Sequence, residues 1–130
     1  MIVVDSSVWI ANLRGLDTQA VRRLRAAIDD EDQVLIGDLI LLEVLQGARD
    51  EAHAARIERG LRCYPVAPML DGSLAVQAAR NYRNLRARGI TVRKTIDMII
   101  GTFCIVGSHV LLHDDRDFDP MAAHLGLLVA

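Results

Sequence analysis

Acidic side chains stand at places in this sequence where a charge is costly. Asp97 lies within the run TIDMIIG, and Glu43 lies within LILLEVLQG, which is apolar on almost every side. An ionised carboxylate among apolar residues costs several kcal/mol unless a cation compensates it. Both acids are therefore candidates for a functional site, although Glu43 could face solvent and Asp97 could satisfy amides at a helix N-terminus.

Further acids follow two apolar segments. Asp5 comes directly after the run Ile2–Val4. The run His109–Leu112 is followed by three aspartates: Asp114, Asp115 and Asp117. We interpret both runs as buried strands, and ligands bind beyond the carboxyl ends of parallel strands, so these acids are expected at one edge of a sheet. Asp5 could equally be a helix N-cap, and one or two of the later aspartates could be turn residues.

Convergence of these acids would select a particular chemistry. Two carboxylates about 4 Å apart repel by roughly 4 kcal/mol at an effective dielectric near 20, so four at one edge require a bound cation or shared protons. Oxygen ligands in this number favour Mg2+ or Mn2+ over zinc. Such a site can activate water and hold the attacking and leaving oxygens of a phosphodiester in line. The sequence offers no supported Ser-His-Asp or Cys-His alternative, and no GxGxxG or Walker A loop.

The elements that must position these acids alternate along the chain. Besides the two strands above, the apolar runs predict strands at Val34–Ile36 and Cys63–Val66, where Pro65 indicates an edge, and the chain closes on Leu127–Val129. Apolar residues at three- and four-residue steps predict six helices, at residues 8–13, 18–28, 38–47, 50–61, 73–88 and 95–106. Asp119-Pro120 is expected to begin a seventh helix. This alternation predicts an α/β fold with a parallel sheet covered on both faces.

Two helix starts are predicted from capping residues. Ser6 and Ser7 are natural N-caps for the first helix, and Asp38 is a natural N-cap for the third. These side chains are expected to accept hydrogen bonds from the first amides of their helices.

Length and composition limit the number of domains and the expected location of the protein. A chain of 130 residues, 52% of them hydrophobic, is expected to form one domain over residues 1–130 with a packed core. The first residues lack the basic region of a signal peptide, and the longest apolar run, Met98–Leu112, is too short and too interrupted to span a membrane. Cys63 and Cys104 show no metal or disulfide spacing and suit a reducing compartment, so a cytoplasmic location is expected.

Basic residues are segregated in one stretch. Residues 80–94 contain six basic side chains and no acid, whereas the remaining chain carries a net charge of −8. Arg80 to Arg88 could be an ordinary solvated helix face. Arg93 and Lys94 lie one turn before Asp97, where cations would bind a phosphate backbone, so they are the candidate substrate contacts.

Two other classes of acidic-site protein fit poorly. A receiver-type signalling domain requires paired acids after its first strand and a late lysine, but Asp5 is followed by two serines and the one lysine precedes Asp97. A haloacid-dehalogenase-like phosphatase requires DxD, and Ser7 stands where the second Asp would be. A catalytically inactive module that uses the acids to anchor a partner's arginines remains the alternative.

Four segments carry a resemblance to a known family. In order they are VVDSSVWI, LLEVLQG, TIDMIIG and LLHDDRDF, and they resemble the four acidic blocks of PIN-domain ribonucleases, in particular VapC-type toxins of bacterial toxin–antitoxin pairs. Each block alone is weak, but four in order along the whole chain form a specific signal.

The resemblance implies roles for particular residues. It makes Asp5, Glu43, Asp97 and Asp115 the catalytic acids that bind Mg2+ or Mn2+, with Asp117 as an auxiliary ligand. Ser7 matches the small hydroxyl that supports the first acid. His113 stands where the family often has Thr, so it is either a strand-end imidazole or a group that contacts substrate or transfers a proton.

The resemblance also implies the architecture and the partners. It implies a three-layer PIN-like domain with a central parallel sheet of about five strands flanked by helices. The implied activity is that of a metal-dependent endoribonuclease toxin. The implied partners are RNA, a second copy of the chain in a homodimer, and a VapB-type antitoxin that covers the site.

Overall fold

Five short segments form the sheet of this protein in a computed structural model that describes residues 1–130. They are β1 (Ile2–Val4), β2 (Val34–Gly37), β3 (Val66–Ala67), β4 (Val110–Leu112) and β5 (Leu128–Val129). The strand order is β3-β2-β1-β4-β5, and every neighbouring pair is parallel. The predicted parallel α/β sheet of about five strands is confirmed.

Seven α-helices and one short 3-10 turn connect the strands. They are α1 (Ser6–Leu13), α2 (Gln19–Asp29), α3 (Asp38–Gln46), α4 (Glu51–Leu61), α5 (Gly72–Ala87), α6 (Thr95–Gly107), the 3-10 turn Arg116–Phe118 and α7 (Asp119–His124). Helix α1 packs against α2 and α3, α3 packs against α4, and α5 packs against α6. No helix combines the length and the apolar character that crossing a membrane requires.

The central strands are buried, which explains their continuous apolar sequences. Val3, Val4 and Leu111 have no exposed surface, as expected for strands covered on both faces. Twenty-five buried residues form one contiguous apolar cluster that includes residues of these strands and of the surrounding helices. The chain therefore has one hydrophobic core, and that core fixes the edge at which β1 and β4 end.

The predicted third strand is displaced along the chain. Residues 63–66 were expected to form it, but β3 is Val66–Ala67, because the last turn of α4 continues until the amide of Tyr64 bonds the carbonyl of Leu61. Pro65 precedes the strand, and its carbonyl accepts a 2.9 Å hydrogen bond from the amide of Ile36. The strand lies at the sheet edge, as Pro65 indicated.

Ser6, Ser7 and Asp38 are not the N-caps that the sequence predicted, whereas the alternative of Asp5 as an N-cap is confirmed. Asp5, and neither serine, caps α1, because its carboxylate accepts a 3.1 Å hydrogen bond from the amide of Ser7. Gly37 caps α3, and Asp38 is its first residue. The Asp38 side chain instead accepts a 3.1 Å hydrogen bond from the amide of Met69, which ties the segment after β3 to the start of α3.

Candidate metal centre

The first acid lies at the carboxyl end of the central strand β1. Asp5 is only 3% exposed, and its Oδ2 accepts hydrogen bonds from the amide of Ser7 at 3.1 Å and from the Ser7 hydroxyl at 2.6 Å. The Ser7 hydroxyl oxygen in turn accepts a 3.2 Å bond from the amide of Asp114. Ser7 therefore holds the Asp5 carboxylate and links the end of β1 to the segment after β4.

The second acid comes from a different helix. Glu43 lies in the middle of α3, which packs against α1, and its Oε1 accepts a 3.1 Å hydrogen bond from the Ser6 hydroxyl. Glu43 is half-buried, whereas the neighbouring Leu42 is 53% exposed. The acid is thus turned inward on a helix that leaves an apolar side chain in solvent.

The third acid is the most unusual side chain of the protein. Asp97 lies in the first turn of α6 and is 3% exposed. Its Oδ2 is buried and has no hydrogen-bond partner. A buried carboxylate oxygen without a partner is costly, because it has lost its water and gained nothing in exchange. Such an atom is suited to a cation.

The acids after β4 complete the cluster. The Oδ1 of Asp115 accepts a 2.9 Å hydrogen bond from the amide of Asp117, which caps the 3-10 turn. Carboxylate oxygens of Asp97, Asp115 and Asp117 all lie within 4.8 Å of one another. Asp114 is exposed and is not part of this triad. The triad is small enough for one divalent ion to reach all three side chains.

Electrostatics connect Asp5 and Glu43 to the triad. Burial, followed by the charges of Asp115, Asp5 and Glu43, raises the pKa of Asp97 to about 7, and only Lys94 opposes the shift. Burial is also the main cause that raises the pKa of Asp5 and that of Glu43. The charges of Asp5, Glu43 and Asp115 therefore all act on Asp97, although the oxygens of Asp5 and Glu43 lie outside the closest group.

Two cations stand at the rim. The Arg93 guanidinium lies 3.7 Å from Oδ1 of Asp117, and the Lys94 ammonium lies 4.0 Å from Oδ2 of Asp115. The Arg93 side chain is 83% exposed, so it is free to contact a larger anion. By contrast, Arg86 lies over the ring of Tyr82 on α5, and no salt bridge joins the arginines of α5 to the acids.

His113 lies between the strand end and the triad. Its Nδ1 accepts a 3.2 Å hydrogen bond from the amide of Asp115, and its ring packs at a tilt against Phe118 with 5.1 Å between centroids. An Nδ1 that accepts this bond leaves the proton of the neutral ring on Nε2. His113 lines a cleft of about 510 Å³ together with Arg93 and Asp115.

A family model supplies the deciding comparison. The PIN domain model matches residues 2–123 of the chain. The chain belongs to the PIN-domain family. Two similar members are a VapC ribonuclease from Mycobacterium bovis and the ribonuclease VapC11 from Mycobacterium tuberculosis. Each is 30% identical over 131 residues, which cover 100% of this chain and 98% of the relative.

Solved structures share the PIN-domain fold of this chain. VapBC2 from Rickettsia felis, bound to a promoter DNA fragment, includes a chain that matches with a TM-score of 0.78 at 12% identity, over 100% of this chain and 98% of that one. A chain of DNA-bound VapBC from Salmonella typhimurium matches with a TM-score of 0.74 at 16% identity, over 99% and 96%. At these identities the likeness concerns the fold alone.

Sequence reasoning missed one residue of this PIN-domain site. Ser6 was interpreted as a helix cap, but its hydroxyl bonds Glu43 on another helix. The two residues are 37 positions apart, so no local pattern indicates the contact. It follows only from the packing of α1 against α3.

Proposed function

We propose that this protein is the toxin of a type II toxin–antitoxin pair and an endoribonuclease that hydrolyses RNA phosphodiester bonds with the help of Mg2+ or Mn2+. Residues 1–130 form one nuclease domain, which acts in the cytoplasm, where its RNA substrate is found. The observation that carries the proposal is the gathering of four mutually repelling carboxylates at the carboxyl ends of β1 and β4. The two mycobacterial relatives are named as ribonucleases, which supports the reaction class.

The proposed metal ligands are Asp5, Glu43, Asp97, Asp115 and Asp117, and the oxygens of the last three form the closest group. The proposed catalytic acids are Asp5, Glu43, Asp97 and Asp115. The partnerless Oδ2 of Asp97 and the all-oxygen composition of the triad fit a hard divalent cation such as Mg2+ or Mn2+. Such an ion supplies Lewis-acid activation of water and neutralises charge on the phosphodiester when it is bound.

The chain's other side chains have separate tasks in this proposal. Arg93 and Lys94 bind phosphate oxygens at the rim, where their attraction adds to that of the ion. His113 presents an Nε2–H donor to the substrate from a ring that the amide of Asp115 holds in place. Ser7 fixes Oδ2 of Asp5 through two hydrogen bonds and leaves Oδ1 free.

A nuclease assay separates the enzyme from an inactive binding module. The metal-stripped protein is incubated with single-stranded RNA, with and without added Mg2+ or Mn2+. Cleavage that appears only with the ion supports the proposal. Binding of arginine-rich partners without cleavage under any metal condition would favour the inactive module.

Charge reversal at the rim is expected to weaken RNA cleavage. Arg93→Glu or Lys94→Glu should raise KM for RNA by roughly 10-fold, since each change replaces an attractive phosphate contact by a repulsive one. Arg80→Glu serves as the control, because Arg80 lines a separate cleft on α5 with Phe103 and Gly107, at the end of α6 opposite Asp97. Rates and Mn2+ affinity are compared at near-physiological salt. Unchanged cleavage in both rim variants would remove them from the substrate site.

A VapB-type antitoxin and a second copy of the chain are the proposed protein partners. Solved structures with the same fold are described as VapBC and FitAB assemblies, which supports a partner of this class. The acidic cleft is the surface that such a partner would cover, since it combines a strong negative charge with access from solvent.

The antitoxin should place a basic side chain, most simply Arg, among the carboxylates and compete with the metal. Saturating Mn2+ is therefore expected to weaken the complex by roughly 10-fold, and the complexed toxin should not cleave RNA. Calorimetric titration of antitoxin into toxin with and without Mn2+ measures the competition. If the affinity is insensitive to Mn2+ and the complex still cleaves RNA, the partner binds elsewhere.

A further inference from the structure

Two neighbouring serines at the start of α1 have different partners. The Ser7 hydroxyl donates to Asp5, as the family resemblance implied, whereas the Ser6 hydroxyl donates to Oε1 of Glu43. Residues one position apart on a helix point about 100° from each other, so the two hydroxyls serve two carboxylates on different elements. Ser6 is 9% exposed, and its bond to the half-buried Glu43 is partly buried.

Glu43 depends on this single bond more than Asp5 depends on either of its two. The Ser6 hydroxyl is its one hydrogen-bond donor within the protein, whereas Asp5 has both an amide and a hydroxyl. Glu43 also has three side-chain torsions, so its carboxylate sweeps a larger volume than that of an aspartate when nothing holds it. The Ser6 bond engages Oε1 and leaves Oε2 free.

We propose that Ser6 is a positioning residue, which holds the Glu43 carboxylate in the place where it would serve a divalent ion bound by the acidic cluster. This inference rests on the proposed nuclease function and adds a named residue to it. The serine does not touch substrate or metal. It acts by removing the rotamer entropy that Glu43 would otherwise lose on metal binding, as hydrogen-bonding partners of metal ligands generally do.

The direct test is calorimetric titration of Mn2+ into metal-free protein, followed by steady-state RNA cleavage. Removal of a hydrogen-bonding partner of a metal ligand typically costs 10–100-fold in affinity or activity, so we expect Ser6→Ala to weaken Mn2+ binding by roughly 10-fold. Its kcat should fall by a similar factor, while KM for RNA stays within about two-fold. Ser6→Thr keeps the hydroxyl and should restore both quantities. Ser73→Ala, at an exposed position in the first turn of α5, is the matched control.

A double-mutant cycle distinguishes positioning from a general effect on α1. In a Glu43→Ala background the hydroxyl has lost its partner, so Ser6→Ala should cause no further loss of Mn2+ affinity. An equal loss in both backgrounds would overturn the inference, as would wild-type Mn2+ affinity and kcat in Ser6→Ala itself. If the wild type binds Mn2+ but cleaves no RNA, the proposed function fails, and the Mn2+ titrations still decide whether Ser6 positions Glu43.

Discussion

We expect Asp97→Asn to lower the rate of RNA cleavage by on the order of 1,000-fold at saturating Mg2+. Asparagine keeps the volume of the side chain, but it replaces an anionic oxygen ligand by a neutral amide. Because Oδ2 of Asp97 has no partner within the protein, no other group compensates for the lost charge at that position. The substitution should therefore weaken metal binding and leave the packing of α6 intact.

Asp30→Asn is the matched control for this measurement. Asp30 is an exposed aspartate that follows the last residue of α2, and it does not line the acidic cleft, so its substitution should leave the rate within about three-fold. Single-turnover cleavage of the same RNA by both variants and the wild type gives the comparison. Full metal-dependent activity in Asp97→Asn would make Asp97 a structural residue.

The stability of the metal-free protein should fall as pH rises from about 4 to about 7. Asp97 has a pKa of about 7 in the folded protein and 3.8 as the reference value, so in this interval the folded state keeps a proton that the unfolded state releases. This difference between the folded and the reference pKa of Asp97 corresponds to a loss of at most about 4 kcal/mol in the free energy of unfolding, because each pKa unit is worth about 1.36 kcal/mol. In the presence of EDTA, Asp97→Asn should therefore equal the wild type near pH 4 and exceed it above pH 7.

Added Mn2+ should reduce this stability difference above pH 7. An ion that binds only the folded state stabilises it by about 2.7 kcal/mol at 100 times its Kd, so the wild type gains melting temperature and Asp97→Asn gains little. Urea unfolding at pH 4.5 and pH 8, with EDTA or Mn2+, measures all four conditions. If Asp97→Asn unfolds in EDTA, or if its stability differs from that of the wild type equally at both pH values, Asp97 is not a carboxylate held for a metal.

The sequence predicted the acids because charge in an apolar context is a local signal. Asp97 and Glu43 stood out against the residues that flank them, and Asp5 and Asp115 stood out because each follows a strand. Their convergence followed from one general property, that parallel strands present their carboxyl ends at the same edge. The fold class followed from the alternation of strands and helices, which does not depend on side-chain detail.

Contacts between distant segments were beyond the sequence. The Ser6 and Asp38 side chains have the chemistry of N-caps, but tertiary packing supplied other partners, which are Glu43 and the amide of Met69. The displaced β3 has the same cause, because the end of α4 competes with the strand for residues 61–64. The family resemblance implied Asp117 as an auxiliary ligand, but the sequence pattern did not indicate the 3-10 turn that places it beside Asp115.

Calorimetric titration of Mn2+ into the metal-free wild type and into metal-free Asp97→Asn at pH 8 tests whether these carboxylates form a metal centre. We predict saturable binding to the wild type and at least a roughly 10-fold weaker affinity in Asp97→Asn, since the variant lacks an anionic ligand. Equal affinity in the two proteins, or no binding to the wild type, would contradict a metal centre built on these carboxylates.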